Sequence, residues 1–363
     1  MSIIIERFGP GAVLAEHDRW DEDPTGRTLT CTRIVRRTDQ IATFEFAADD
    51  RRALPHAPGQ YVTISADIDG ERVSRCYTVS SPSTRPYSVQ LTVKREATGR
   101  MSAWLHDVLA VGDRVELSGP AGEFSTAYHP AERILLLAGG VGITPMMSIL
   151  ESIHDLAEPT DVVLVHNSRS PDLVAFRAEL SRLTQDNMRI RVVQAVSMDP
   201  DGTWLGPVGR LDAAMLSRNV PDIRDREVFV CGPDAYMEHA QSLALSLGVP
   251  IERIHRESFV LTQPEEPAAI DTSAEAGTHS VTFARSGKVA EIAPGQTVLD
   301  AAKQAGVRMN SSCRSGLCGT CKIVKVEGEV EMRHNGGIRQ REIDAGKILA
   351  CCSRPCGAVV IDG

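Results

Sequence analysis

Residues 313–321 read Cys-Arg-Ser-Gly-Leu-Cys-Gly-Thr-Cys, and residues 348–353 read Ile-Leu-Ala-Cys-Cys-Ser. The first stretch spaces Cys313, Cys318 and Cys321 as C-x4-C-x2-C. A fourth thiol follows alone, 30 positions after Cys321, at Cys351, with Cys352 beside it. This is a spacing with which four thiolates hold a [2Fe–2S] cluster. A structural zinc site would favour two short C-x2-C pairs instead. Ser315, Gly316, Gly319 and Thr320 are small, so the backbone can close around a cluster and turn N–H groups toward sulfur. From the residues alone, Cys351 and Cys352 both remain open as the fourth ligand. Cys356 is expected to be a small buried residue.

The chain has 363 residues, room for two or three domains. Six of its nine cysteines lie after residue 312. A thiolate cluster fits a reducing, cytoplasmic setting better than a secreted disulfide framework. No apolar run approaches the ~20 residues of a membrane helix, and the charged start Met-Ser-Ile-Ile-Ile-Glu-Arg does not read as a signal peptide. A net charge of −9 argues against a nucleic-acid partner. The charge is uneven: residues 278–363 carry 12 Lys and Arg against 8 Asp and Glu, a net +4, and the remainder carries −13.

Five segments follow from the pattern. Residues 1–26 form an extension, acidic from Glu16 to Asp23 around Trp20. From 27 to 130, short alternating runs such as Ile41–Phe46, Gln60–Ser65 and Tyr87–Lys94 are separated by turn residues, which indicates a small antiparallel β-barrel. One helix interrupts it, with Ser102 placed to cap its start. From 131 to 260, apolar runs such as Arg133–Ala138 and Asp161–His166 alternate with helical stretches, Asp172–Leu183 among them, as in an open α/β sheet. Residues 261–277 have linker composition and as a coil would span roughly 20–25 Å. Residues 278–363 are a compact α+β unit, with a hairpin at Arg285-Ser-Gly and a helix from Thr297 ended by Gly306.

Four motifs carry chemistry. In Arg75-Cys-Tyr-Thr78, Arg75 and Tyr77 share one face of a strand. An arginine suits a bidentate phosphate contact, and a tyrosine offers a flat face to a flavin ring. Thr78 is the hydroxyl beside it. In Gly99-Arg-Met101-Ser102, a helix start follows the strand that holds Thr92 and Lys94, and helix starts bind phosphate. Ala138-Gly-Gly-Val-Gly-Ile-Thr-Pro-Met146 links a buried strand to a helix, the context of a nucleotide loop, with Gly139, Gly140, Gly142, Thr144 and Pro145. Cys231, Gly232 and Pro233 again follow a strand, at the carboxyl end where open sheets bind ligands. Each motif alone is also compatible with an ordinary strand, cap or turn.

In this order the four motifs resemble the ferredoxin–NADP reductase superfamily, over about residues 27–260. Residues 278–363 resemble a plant-type ferredoxin. The resemblance implies a multidomain chain: an antiparallel β-barrel flavin domain, an α/β open-sheet nicotinamide domain and an α+β (β-grasp) ferredoxin domain. It favours FAD, with FMN left open since reductases of the same domain order use it, held by Arg75, Cys76, Tyr77, Thr78, Thr92, Lys94, Gly99, Met101, Ser102 and Phe259. It places the nicotinamide nucleotide on Gly139, Gly140, Gly142, Thr144, Pro145, Cys231, Gly232 and Pro233. Thr78, Thr144 and Cys231 would surround hydride transfer, with no residue acting as acid or base. The Ala-Cys-x-Ser-Arg-Pro form assigns the fourth cluster ligand to Cys351.

Finer motifs narrow the resemblance: Trp104-Leu-His-Asp107, Glu329-Val-Glu-Met, His334-Asn-Gly-Gly-Ile338 and Ile348–Ser353. They are similar to reductase components of Rieske-type oxygenases that demethylate quaternary ammonium compounds, glycine betaine, stachydrine and carnitine among them. This implies electron flow from NADH through FAD and the [2Fe–2S] cluster to an oxygenase partner. A reductase of the same layout serving a hybrid-cluster protein or a fatty-acid desaturase stays open, as does a non-enzymatic redox sensor. The +4 cluster domain is compatible with a partner bearing an acidic patch and equally with an ordinary solvated surface.

Superfamily members that use NADP carry a Ser-Arg pair after the third strand of the nucleotide domain. Here the stretch is Ala195-Val-Ser197-Met198-Asp199. Methionine replaces the arginine, and Asp199 is expected to repel a 2′-phosphate and accept from a ribose hydroxyl. Arg169 is the cation that would oppose this. The expectation is NADH.

If Cys313, Cys318, Cys321 and Cys351 are the ligands, Cys352→Ser retains the visible absorption of the cluster and Cys351→Ser bleaches it. Absorption spectra of the two purified variants decide between the adjacent cysteines.

Overall fold

The computed structural model describes residues 27–258, 278–307, 309, 316, 321–334, 338 and 340–363. The chain divides into two compact units at residues 259/260.

The first unit begins with the barrel. Its strands are β1 (Arg27–Arg36), β2 (Ile41–Ala47), β3 (Tyr61–Ile68), β4 (Glu71–Thr78), β5 (Val89–Lys94) and β6 (Arg114–Ala121), all antiparallel, in the order β4-β3-β6-β1-β2-β5. A bridge between Val79 and Leu91 ties the two ends of that order together. Alternation explains the closure. Leu29, Phe44, Phe46, Val62, Ile64, Leu91 and Leu117 point inward and are fully enclosed. Helix α1 (Arg100–Asp107) lies between β5 and β6 and puts Met101 and Leu105 into the same core. Its N-cap is Gly99, with no side-chain cap. Ser102, expected to cap the helix, donates instead to the Gly99 carbonyl (3.0 Å) and accepts the Glu96 N–H (3.1 Å).

A parallel sheet follows in the same unit: β7 (Arg133–Gly139), α2 (Ile143–Asp155), β8 (Asp161–Ser168), α3 (Arg177–Asp186), β9 (Ile190–Val196), α4 (Ala213–Asn219), β10 (Glu227–Gly232), α5 (Asp234–Ser246) and β11 (Ile254–Ser258). The strand order is β11-β10-β7-β8-β9. The strands are apolar on both faces because helices cover both, and two core clusters form, one per face. The helix expected at 172–183 starts later. Residues 171–173 make a single 3-10 turn, Val174 is extended, and Phe176 takes φ +61° immediately before Arg177.

The amino-terminal edge of this sheet is braced by Arg226, which is fully buried. Its guanidinium donates to both Asp222 carboxylate oxygens (3.0 and 2.9 Å), to Asp161 Oδ1 (3.0 Å) and to the carbonyls of Ile134 (3.1 Å) and Asp161 (3.2 Å). One planar, five-donor group thus links the starts of β7 and β8 to the turn before β10.

The second unit contains β12 (His279–Phe283), β13 (Lys288–Ile292), α6 (Val298–Gln304), β14 (Lys322–Glu327), β15 (Val330–Met332), α7 (Gln340–Asp344), β16 (Lys347–Leu349), β17 (Ser353–Pro355) and β18 (Val359–Ile361). Five strands form a mixed sheet, β13-β12-β18-β14-β16, in which β12 and β18 are parallel, and β15 pairs with β17. This is the β-grasp arrangement that the resemblance implied. Thr297 and Asp300 close a reciprocal capping box on α6, and Val298, Ala301 and Ala302 pack onto the sheet. Among the described residues, no helix is long and apolar enough to cross a membrane.

Arg226→Leu keeps much of the volume but takes the guanidinium from two carbonyls and from Asp222 and Asp161, whose other cations, Arg133 and Arg191, stand farther off at 3.5 and 3.8 Å. It is expected to destabilise the first unit by about 3 kcal/mol, read as a lower urea midpoint for the loss of that unit's structure. An unchanged midpoint would show that the brace contributes nothing.

Candidate functional site

The strand order reverses direction between β7 and β10: β8 and β9 lie on one side, β11 on the other. Ligands of open α/β sheets bind at the carboxyl ends beside such a switch point. The Gly139–Gly142 loop leaves β7 there, and Cys231-Gly-Pro leaves β10. The glycines have three different reasons. A Cβ on Gly142 would lie 2.2 Å from the Cys231 carbonyl oxygen, so two backbones touch. A Cβ on Gly139 would lie 2.8 Å from the Tyr236 ring, and one on Gly232 would lie 3.0 Å from the same ring. The space at those two glycines is therefore taken by Tyr236. Gly140, at φ +55°, has nothing within 4 Å of its Cβ position and is the glycine bare toward the crevice. Its carbonyl accepts from His166 Nε2 at 3.1 Å, and burial holds that imidazole down to about 4, hence neutral. Thr144 donates its hydroxyl proton to the Val141 carbonyl (3.0 Å), so toward a ligand it can only accept. Pro145 lies in the first turn of α2, where its missing N–H is no loss.

Cys231 is fully buried, and burial raises its thiol well above the usual range. In register beside it on β11 stands Glu257. Its Oε2 is enclosed and has no hydrogen-bond partner in the protein, and burial pushes the carboxyl up to about 8. Its Oε1 lies 3.9 Å from the Cβ position of Gly122, at the end of the barrel. Glu257 thus brings a protonated carboxyl to the junction of barrel and sheet. Sequence reasoning missed it, although it stands two residues before Phe259. An acidic residue at the carboxyl end of a sheet strand was the available signal.

On the barrel, Arg75, Cys76, Tyr77 and Thr78 close β4. Arg75 donates to the Ser74 carbonyl (2.8 Å), and the Cys76 sulfur lies 3.4 Å from Thr63 Oγ1. Burial raises the Tyr77 phenol. Thr78 Oγ1 is buried with no partner in the protein. Such an orphaned hydroxyl fits a polar edge of a flavin, which would supply the missing hydrogen bond. Lys94 pairs with Glu96 (3.1 Å). A Cβ on Gly99 would lie 2.4 Å from Ser102 Oγ, so a larger residue there would displace the Ser102 hydroxyl from its bonds. Met101 is in the barrel core and Thr92 is enclosed among hydroxyls. Phe259 lies outside the described residues.

Of the four cysteines expected to hold the cluster, Cys313 and Cys318 lie outside the described residues. Cys321 and Cys351 come together: the Cys351 N–H donates to the Cys321 sulfur at 3.5 Å, and the Ala350 N–H to the Cys321 carbonyl at 3.0 Å. Gly316, at φ +72°, faces the Cys352 sulfur, which is 2.7 Å from its Cβ position. Cys352 is therefore packed against Gly316. Cys356, expected to be buried, is exposed; it follows the last residue of β17, with its N–H on the Glu329 carbonyl.

Asp199 has a further role in the fold. Its carboxylate accepts the N–H groups of Thr203 (3.3 Å) and Trp204 (2.9 Å) and shapes the loop after β9. Trp204 in turn lies under the Arg177 guanidinium, 5.1 Å from the ring centre. The Met198 N–H donates to the Arg169 carbonyl (2.9 Å), which sets exposed Arg169 beside Met198.

Three family models match in order. They are an oxidoreductase FAD-binding domain over 29–126, an oxidoreductase NAD-binding domain over 136–242 and a 2Fe-2S iron-sulfur cluster binding domain over 281–356. The chain is 40% identical to a glycine betaine monooxygenase reductase subunit of Pseudomonas aeruginosa, over 93% of this chain and 95% of that one. It is 34% identical to a stachydrine N-demethylase reductase subunit of Rhizobium meliloti, over 92% and 96%. Among solved structures, an intact type IV self-sufficient cytochrome P450 monooxygenase superposes with a TM-score of 0.71 at 26% identity, over 93% of this chain and 41% of that one. The FAD/NAD-binding domain of a nitric oxide dioxygenase from Vibrio cholerae gives 0.59 at 27%, over 64% and 98%.

Glu257 keeps its proton in the fold to about pH 8, whereas an unfolded carboxyl loses it near the ordinary value. The stability this provides is full below the ordinary carboxylate range, declines as pH rises, and is gone above about pH 8. Glu257→Gln is therefore expected to flatten the fall in melting temperature across that window. Parallel slopes for variant and wild type would place the ionised form in the fold.

Proposed function

The chain belongs to the ferredoxin–NADP reductase superfamily, in the branch that carries a C-terminal plant-type [2Fe–2S] ferredoxin domain, and on that premise we propose that it is the reductase of a Rieske-type oxygenase that demethylates glycine betaine or a related quaternary ammonium compound. The activity is that of an NADH-dependent oxidoreductase with FAD and a [2Fe–2S] cluster. The oxygenase substrate is the finer reading. It rests on one observation: similarity to glycine betaine monooxygenase reductase subunits runs along nearly the whole chain, through all three domains.

The cofactors supply conversion of a two-electron hydride donor into single electrons, and the protein supplies position and electrostatics. Gly140 leaves the crevice open beside a loop that His166 fixes. Glu257 brings a neutral carboxyl to the junction, so a hydride equivalent leaving a nicotinamide meets no buried negative charge there. Thr78 offers its hydroxyl from the barrel side. Arg75 and the start of α1 are the proposed phosphate contacts, and Cys313, Cys318, Cys321 and Cys351 the proposed cluster ligands. A cytoplasmic setting is part of the same reading.

Discrimination against NADPH is proposed as well. Met198 stands where a cation would pair with a 2′-phosphate, and Asp199 keeps an anion nearby even though its oxygens hold the loop. Arg169 is the opposing charge.

Reconstitution tests this directly. With its cognate oxygenase, the protein is expected to support NADH-dependent release of formaldehyde from glycine betaine, and kcat/KM is expected to favour NADH over NADPH by at least about tenfold, ~1.4 kcal/mol. Coupling only to stachydrine or carnitine would move the substrate. Equal kcat/KM with NADPH would assign Arg169 to the phosphate.

A further inference from the structure

A line of buried hydroxyls runs inside the barrel, and Arg37 continues it to the nucleotide domain. Thr43, on β2, and Thr92, on β5, lie 2.8 Å apart through their Oγ1 atoms, and Thr92 lies 2.9 Å from Ser80 Oγ. Ser80 follows Thr78 by two residues and donates to the Gln90 carbonyl at 3.1 Å. At the other end, Arg37 Nε donates to Thr43 Oγ1 at 2.9 Å. Each hydroxyl of this line can donate to its neighbour or accept from it, whereas Arg37 Nε can only donate.

Arg37 then crosses to the nucleotide domain. Its Nη1 donates to Glu179, in the first turn of α3. Its guanidinium lies over the Phe176 ring, 4.7 Å from the centre. Phe176 holds the left-handed conformation that starts α3, a position unusual for an aromatic. One side chain thus joins the start of α3, through four successive hydrogen bonds, to the strand segment that continues from Thr78. Elsewhere along the same junction, Ser148 and Ser152 of α2 meet Ser81 and Ser83, and Arg85 pairs with Asp155.

We propose that Arg37 is a positioning residue for hydride transfer, setting the nucleotide crevice against the flavin strand. Reacting centres must approach to about 3–3.5 Å, and a misplacement of an ångström lowers the rate steeply. Arg37 touches neither the nucleotide loop nor the Arg75–Thr78 motif, so its influence runs through Thr43 and Glu179. A surface ion pair would lack this consequence: such pairs contribute about 0–1 kcal/mol to stability and nothing to geometry.

The test is stopped-flow reduction of the bound FAD by NADH in the full-length holoprotein, a half-reaction that needs no oxygenase and so is independent of the terminal acceptor. Rates are expressed per bound flavin, and the perturbation of the oxidised flavin spectrum by saturating NAD+, which involves no turnover, is read beside them and is expected to weaken in Arg37→Gln; an unchanged perturbation would also overturn the proposal. Arg37→Gln is expected to slow reduction at saturating NADH about tenfold, with the NADH concentration for half-maximal rate changed less than threefold. Arg37→Lys is expected to recover part of the rate, since lysine can reach Glu179 but cannot hold Thr43 and Phe176 together. Glu179→Gln should slow reduction similarly, and the double variant should be no slower than the slower single one. Wild-type rates per flavin in Arg37→Gln, or fully multiplicative losses in the double variant, would overturn the proposal and leave an ordinary ion pair.

Discussion

Two backbones pass each other with no room for a methyl group where Gly142 meets the Cys231 carbonyl. That approach fixes the mouth of the crevice between β7 and β10. Everything placed around the nucleotide depends on it: the bare Cα of Gly140, the carbonyl that His166 holds, and the start of α2 that carries Thr144. The contact follows from chain direction. A parallel sheet whose order reverses between two strands must send their connections apart, and the first residues of both connections then crowd the same gap. Glycine is the one residue that fits such a gap.

Much of this was legible in the sequence, and the parts that were share a property. The barrel, the parallel sheet and the β-grasp unit are written as repeated local patterns: alternation in β2 and β5, apolar runs in β7 and β8, a capped turn at Thr297. The cysteine spacing is likewise a statement about neighbours in sequence. The parts that were not legible depend on what a side chain meets after folding. Asp199 reads as a free carboxylate until the loop turns two N–H groups onto it. Ser102 reads as a cap until its hydroxyl is found bridging Glu96 and Gly99. Glu257 reads as an ordinary strand-end acid until β11 carries it under the barrel and removes its water.

The same distinction separates the glycines of the nucleotide loop. Sequence treats Gly139, Gly140 and Gly142 as one motif. The fold gives them unrelated duties: one admits the ring of Tyr236, one faces open space, one lets two chains touch. A phosphate-binding reading of the whole motif attributes to a ligand some of what belongs to packing. Tyr236 is the residue that makes the difference, and its hydroxyl, donated to Asn167 at 3.1 Å, keeps the ring in place across the end of β8.

The two edges of the parallel sheet are built on opposite principles. At the amino-terminal edge, Arg226 gathers carboxylates and carbonyls into a closed, fully satisfied knot. At the carboxyl-terminal edge, polar atoms on Asn167, Gln194 and Glu257 are left without partners. Sequence changes at the first edge would be felt through the fraction of molecules that survive quality control, since one or two kcal/mol alters cellular abundance several-fold. Changes to those unpartnered groups would weigh less on protein levels and more on turnover per molecule. In a population of natural variants, a low steady-state level with normal specific activity would therefore point to the Arg226 knot, and a normal level with a sluggish enzyme to the crevice.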